Sequence, residues 1–445
     1  MFLNRDLDQQ LKSWKAKSKR KPLVLQGARQ VGKTSLLKEF GERTYESLIY
    51  LNFEKDKKIK KFFEDNLNPQ EIIRKLSIYL GRDIIPQATL LFFDEIQESN
   101  EALNSLKYFN EEAPEYHVAC AGSLLGVKLK NKKTFPVGQV DFISIYPLSF
   151  YEFLEAIGKL SLRRYLEEQD LNSLDIHPFP QVFHDELIEL LKIYYFVGGM
   201  PEAVAHYAET KRFEGIREIQ ENILNAYRLD FSKHAAPQDI LKIGAVFESI
   251  PRQLARENKK FIFSVIKKSA RAREYENALQ WLVDAGLVYK NTYLSCVKFP
   301  LKAYAECDVF KIFLLDVGLL GAMTDLDAKI LLEGHQLFQE FKGSFAENYV
   351  AQELKSSQGS DLYYWASEGK AEVDFVISQE NRFFPLEVKS GVSRGIKSLH
   401  VYEQSNPAAC LLRVSVQNFS KSDRFYNIPL YAVPFLKKLT GAKDS

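Results

Sequence analysis

The chain has 445 residues, 46% of them hydrophobic and 27% charged, which is more than one ordinary core serves and points to two to four globular domains. A net charge of +2 excludes a polycation held to nucleic acid by overall attraction, so any such contact has to come from local basic patches. Cys120, Cys296, Cys307 and Cys410 are widely spaced, which argues against a disulfide framework or a structural zinc site. No signal peptide or run of about 18 apolar residues is present either, so the expectation is a soluble chain in a reducing cytoplasm, away from membranes.

Along the chain, the apolar run at 22–27 closes on glycine and gives way to helical spacing at 34–40, an order of strand, loop and helix. Further buried strands are predicted at 47–54, 88–95 and 116–123, the third ending in acids and the fourth in small polar residues. Strands alternating with helical segments imply a parallel sheet covered on both faces, so residues 1–145 read as an α/β domain. Long amphipathic stretches then predict a helical region over 146–235, broken at Gly198 and Gly199 before Pro201. Over 236–330, a helix ending near Gly286 and followed by short strands predicts a winged-helix module. Over 331–445, a helix at 343–354 and four strands at 361–366, 371–378, 382–390 and 408–415 predict a second α/β domain.

The segment Gly27-Ala28-Arg29-Gln30-Val31-Gly32-Lys33-Thr34 has two glycines with four residues between them, followed by lysine and a hydroxyl. In that pattern successive main-chain amides, extended through Ser35, face phosphate oxygens, and the helix amino terminus adds partial positive charge. Gly27 and Gly32 permit close approach, Lys33 neutralises the β- and γ-phosphates, and the Thr34 hydroxyl goes to Mg²⁺. Asp94 and Glu95 end a buried strand on the side where parallel sheets build ligand sites. Asp94 is expected to hold Mg²⁺ through water and Glu95 to orient or deprotonate the attacking water, although two acids there also suit a helix amino terminus. Ser123 is a candidate γ-phosphate sensor, and Asn52 a candidate to position Glu95; both residue types also form turns.

A second set of chemistry-bearing residues lies near the carboxyl end. Phosphodiester cleavage with Mg²⁺ needs hard oxygen ligands and a positive group beside the scissile phosphate. Asp374, with Glu387 and Lys389 two residues apart on one strand face and Glu347 on the preceding helix, supplies those types and resembles the site of restriction-endonuclease-like nucleases. A half-buried strand with solvent-facing charges gives the same alternation. Arg252, Arg256, Lys259, Lys260, Lys267, Lys268, Arg271 and Arg273, interrupted only by Glu257, suit phosphate contacts or a solvated face equally. Lys12–Lys21 and Lys128–Lys133 read as solvated surface and His117 as a structural histidine.

The segments GARQVGKTSLL, LLFFDEIQ, CAGSLLG, YPLSFYEFL, GGMPEAV and FKIFLLDVGLL together resemble the prokaryotic AAA-superfamily ATPases that carry an uncharacterised carboxyl-terminal domain. The resemblance spans nearly the whole chain. It implies an AAA-type core using ATP and Mg²⁺, a helical and winged-helix middle, and a terminal domain similar to the restriction-endonuclease fold. Gln139 follows Gly138 where relatives often carry a basic residue, so no arginine is assigned as a finger. Two functions follow as expectations: an ATPase coupled to DNA or RNA, or an ATP-dependent switch for a protein partner whose nuclease-like domain is catalytically silent.

Overall fold

The computed structural model describes residues 3–122, 138–168, 176–256, 259–329, 339–367, 371–391 and 395–438. The chain separates into two compact units: Asn4–Tyr146 with Asp284–Gly286, and Pro147–Val283 with Met1–Leu3 and Leu287–Ser445.

The first unit is built on a five-stranded parallel sheet, β1 (Leu23–Gln26), β2 (Ser47–Asn52), β3 (Thr89–Asp94), β4 (His117–Ala121) and β5 (Asp141–Ser144), in the order β2-β3-β4-β1-β5. Every residue of β3 and β4 is buried, which is why these strands read as unbroken apolar runs rather than alternating ones. Strand β5 escaped prediction because Asp141 and Ser144 interrupt so short a segment; its pairing with β1 places β1 inside the sheet. Helices α1 (Asp8–Ala16), α2 (Lys33–Thr44), α3 (Lys57–Glu64), α4 (Pro69–Leu80) and α5 (Asn100–Glu112) accompany the sheet. Helix α4 is delimited by local chemistry: Asn68 accepts from Gln70 N and Glu71 N, Pro69 occupies the first turn, and Gly81 closes the helix at φ 65°. Phe53, Phe63, Phe93 and Phe109 pack edge to face in its core.

In the second unit, helices run from Phe150 to Leu254, followed by the helix Ala272–Asp284. Strands β6 (Val288–Leu294) and β7 (Ala305–Leu314) form the antiparallel pair expected after it. That pair does not stop at a module boundary. Strand β6 also pairs in parallel with β8 (Leu362–Ala366), and β8 with β9 (Glu372–Val373), giving a four-stranded sheet β7-β6-β8-β9 that joins segments expected in separate modules. At Asp374 the chain passes into a five-stranded sheet, β10 (Phe375–Gln379), β11 (Arg382–Lys389), β12 (Leu411–Ser415), β14 (Phe425–Pro429) and β13 (Ser420–Ser422).

Three segments of the resemblance meet in a buried knot of this unit. Gly199 N donates to Asp316 Oδ2 at 2.6 Å, Leu148 N donates to Gly199 O at 2.7 Å, and the Tyr194 hydroxyl donates to Leu148 O. A side chain on Gly198 would run into the Asp316 carboxylate. Burial pushes Asp316 up to about 6, against the opposing effect of the Gly199 and Leu319 amides.

Candidate functional site

Strand β1 ends at Gln26 and α2 begins at Lys33, so the loop between them faces the carboxyl end of the sheet. The backbone of residues 27–32 takes a course that ordinary side chains oppose: Gln30 has φ 65° and Gly32 φ 94°. A Cβ on Gly27 would run into the Ile145 carbonyl oxygen. Lys33, 8% exposed, donates from Nζ to Gly27 O at 2.9 Å and to Ala28 O at 2.6 Å. Its ammonium therefore lies inside the loop's own curve. Ala28, Arg29, Gln30 and Val31 are loop positions, and Ser35 falls in the first turn of α2.

The Thr34 hydroxyl donates to Asp94, with both carboxylate oxygens at 3.2 Å. The β2–β3 register places Asn52 opposite Asp94 and Tyr50 opposite Phe92, so alternation brings Tyr50, Asn52 and Asp94 to one face. The Tyr50 hydroxyl donates to Asp94 Oδ2 at 2.8 Å, and Asn52 Nδ2 approaches Tyr50 Oη at 3.1 Å and Asp94 Oδ2 at 3.5 Å. Burial raises the Asp94 pKa and Glu95 adds to the rise, while the Tyr50 and Thr34 hydroxyls oppose it. The Tyr50 hydroxyl is itself pushed up to about 12, chiefly by burial. Two hydroxyls and a carboxylate are hard oxygen groups, and Thr34 with Asp94 fits Mg²⁺.

Glu95 leaves the strand at φ 50° and its Oε2 accepts from Gln97 Nε2. Asn52 contacts the Asp94 side of the pair, and its Oδ1 accepts from Glu54 N at 3.1 Å and Lys55 N at 2.8 Å. Gln97, two residues on, holds Glu95 in this structure. Sequence reading missed both Tyr50 and Gln97; the signal for Tyr50 was its even spacing from Asn52 on a strand. Ser123 lies outside the described residues.

The carboxyl-terminal acids are arranged around a residue not anticipated. Lys311 on β7 is 1% exposed, and its Nζ forms ion pairs with Glu372, with Asp374 Oδ1 at 3.8 Å and with Glu347 Oε2 at 3.9 Å. Lys259 pairs with Glu347 Oε1 from the other side. Burial opposes the charge on Lys311, but the surrounding carboxylates, Glu347 foremost, outweigh it and raise its pKa. Asp374 Oδ2 accepts from Val388 N at 2.8 Å. Burial pushes Asp374 up to about 7, with Glu347 adding to the rise and Lys311 opposing it.

Glu387 Oε1 pairs with Lys389 Nζ at 2.7 Å and stands opposite Arg413 on β12. Among the described residues, no group of three or more His, Cys, Asp or Glu side chains is placed to hold a metal ion. Of the expected ligand set, Glu347 and Asp374 face the buried Lys311 ammonium and Glu387 faces Lys389.

Within the basic segment, Lys259 is spent on Glu347 and Lys260 lies 5.7 Å from the Tyr293 ring, while Lys267, Lys268, Arg271 and Arg273 are exposed. Lys128–Lys133 falls outside the described residues. Burial lowers His117 to about 4, and its Nδ1 lies 2.7 Å from Tyr45 Oη, a structural arrangement.

Residues 19–154 match the family model described as an AAA domain. That match takes in the phosphate loop together with Asp94 and Glu95. Two further models, each described as a domain of unknown function, DUF8612 and DUF4143, match residues 188–330 and 342–433. No curated protein matches the chain. Solved structures similar to it include the Walker-type ATPase of Pyrococcus abyssi, at 16% identity over 73% of this chain and 96% of that one, with a TM-score of 0.43. The Aeropyrum pernix ORC1 protein in complex with DNA is similar at 15% identity over 73% and 93%, with a TM-score of 0.31. Cdc6p from Pyrobaculum aerophilum is similar at 13% identity over 75% and 96%, with a TM-score of 0.26. At these scores the likeness does not extend to an activity or a partner. No described helix is long and apolar enough to cross a membrane.

Proposed function

We propose that the chain is a Mg²⁺-dependent ATP hydrolase and that its nucleotide state governs binding to a partner. The observation that carries this is Thr34 set against both oxygens of Asp94, directly beyond a loop whose lysine is buried. In this reading the amides of residues 27–35 bind the triphosphate, and Lys33 exchanges its bonds to Gly27 O and Ala28 O for phosphate oxygens. Thr34 and Asp94 would hold Mg²⁺, which would supply positive charge beside the phosphates. Glu95 gives up its bond to Gln97 to orient the attacking water and receive its proton. Phosphate release from ATP tests this: turnover requires Mg²⁺ and is lost in Lys33→Ala and Glu95→Gln. Turnover that survives both substitutions sinks the assignment.

Of the two further readings, Lys311 favours a carboxyl-terminal domain that recognises rather than cleaves, because an internal ammonium already engages two of the acids a nuclease would lend to Mg²⁺. The exposed Lys267, Lys268, Arg271 and Arg273 suit a partner rich in phosphate, such as DNA or RNA. Incubation with single- and double-stranded DNA or RNA in Mn²⁺ is expected to give no cleavage. Cleavage abolished by Asp374→Ala or Lys389→Ala would restore the nuclease reading. Stimulation of ATP turnover by nucleic acid supports that partner; its absence points to a protein.

A further inference from the structure

The phosphate loop is held from outside by a residue far upstream in sequence. Arg5, ahead of α1, donates from Nη1 to Val31 O at 3.0 Å and from Nη2 to Tyr146 O at 2.6 Å. Its two acceptors belong to the loop and to the stretch just after β5. Those two stretches also touch directly: Ile145 N donates to Gln26 O at 2.7 Å, and the Ile145 carbonyl oxygen leaves no space for a Cβ on Gly27. Arg5 closes the remaining side of this contact. A planar guanidinium with fixed, diverging donors holds two carbonyls at a set spacing and angle, which a lysine ammonium on a flexible stem constrains less.

The consequence lies in peptide geometry. In a trans peptide the C=O and the following N–H point in opposite directions. With the Val31 oxygen tied to Arg5, the Gly32 N–H is directed away from Arg5. Gly32, at φ 94°, is the position with least resistance to rotation of that peptide plane, since glycine tolerates both signs of φ. A flip would exchange an amide donor for a carbonyl oxygen on the side where the loop offers amides to phosphate, turning attraction into repulsion. We propose that Arg5 is a positioning residue for nucleotide binding: by holding the Val31 carbonyl against Tyr146 it keeps the Gly32 amide available as a phosphate donor. This rests on the ATP reading above.

The test is a titration of a fluorescent ATP analogue into the full chain and into Arg5→Ala and Arg5→Lys, well below each melting midpoint, together with ATP turnover kinetics. Arg5→Ala is expected to raise Kd about tenfold, with KM rising in parallel and by more than kcat falls, as for loss of charge-assisted bonds. Arg5→Lys recovers only part of the affinity. Nucleotide affinity within twofold of the parent in Arg5→Ala overturns the proposal, as does full affinity in Arg5→Lys should the alanine variant fail to fold. A parent chain that binds no nucleoside triphosphate in Mg²⁺ removes the ATP reading itself, a result distinct from parent and variants binding alike.

Discussion

The two acidic clusters use similar residue types and differ in what stands opposite the acids. In the AAA domain, Asp94 is met by neutral groups, the hydroxyls of Thr34 and Tyr50 and the amide of Asn52. In the carboxyl-terminal region, Glu347, Glu372 and Asp374 are met by the ammonium of Lys311. A neutral partner lowers the cost of burying a carboxylate without cancelling its charge, so the site keeps its appetite for a divalent cation. The Lys311 ammonium, with Lys259 beside Glu347, offsets part of the charge of three carboxylates and weakens that appetite. A cluster of acids is therefore read correctly only together with its counterions.

The comparison breaks most sharply on chemistry. Glu95→Gln is expected to cut ATP turnover by at least about 100-fold while nucleotide affinity stays near the parent's, because a general base acts on the step and not on binding; equal losses in Kd and kcat would assign Glu95 to binding instead. Next, Lys311→Met leaves the carboxylates without their ammonium and is expected to cost about 3–5 kcal/mol in denaturant unfolding. A loss below about 1 kcal/mol would mean that the cluster is not held by Lys311.

A smaller effect concerns the neutral partners. Tyr50→Phe removes one donor from Asp94, and the Mg²⁺ concentration for half-maximal turnover is expected to rise about threefold, the equivalent of one hydrogen bond; an unchanged Mg²⁺ dependence would leave the Asp94 orientation to its other donors, Thr34, Asn52 and the Glu95 amide. The smallest is a pH slope. Asp374 is raised to about 7 in the fold from the usual carboxylate range, so the folded chain holds a proton there that the unfolded chain releases. Its contribution is full below about pH 4 and is lost as pH climbs through 7. Asp374→Asn should flatten that decline, seen as a melting midpoint that falls less than the parent's between pH 5 and 8.

The phosphate loop was legible because its chemistry is local: residues 27–34 make their own turn and start their own helix. Strands β3 and β4 were legible because burial on both faces leaves an unbroken apolar run. What stayed hidden depends on distance in sequence. Arg5 finds its acceptors 26 and 141 residues away, and Tyr50 looks like any strand aromatic until β3 is laid beside it. Lys311 did leave a trace, as one lysine inside the apolar run of Val309–Leu315; a charge predicted to be buried obliges a search for counterions. Alternation brought Asp374, Glu387 and Lys389 into view and said nothing of β7, the strand that carries Lys311.

The edge position of β5 has a practical corollary for dissecting the chain. The family match begins at residue 19, past Arg5 and helix α1, whereas the contacts that brace the loop run from Arg5 to Tyr146. A fragment trimmed at its amino end to the match would discard the outer clamp, and one ended before residue 141 would leave β1 as an open sheet margin, prone to pair with other chains. The smallest piece worth expressing for nucleotide work therefore starts no later than Asn4 and continues through Tyr146.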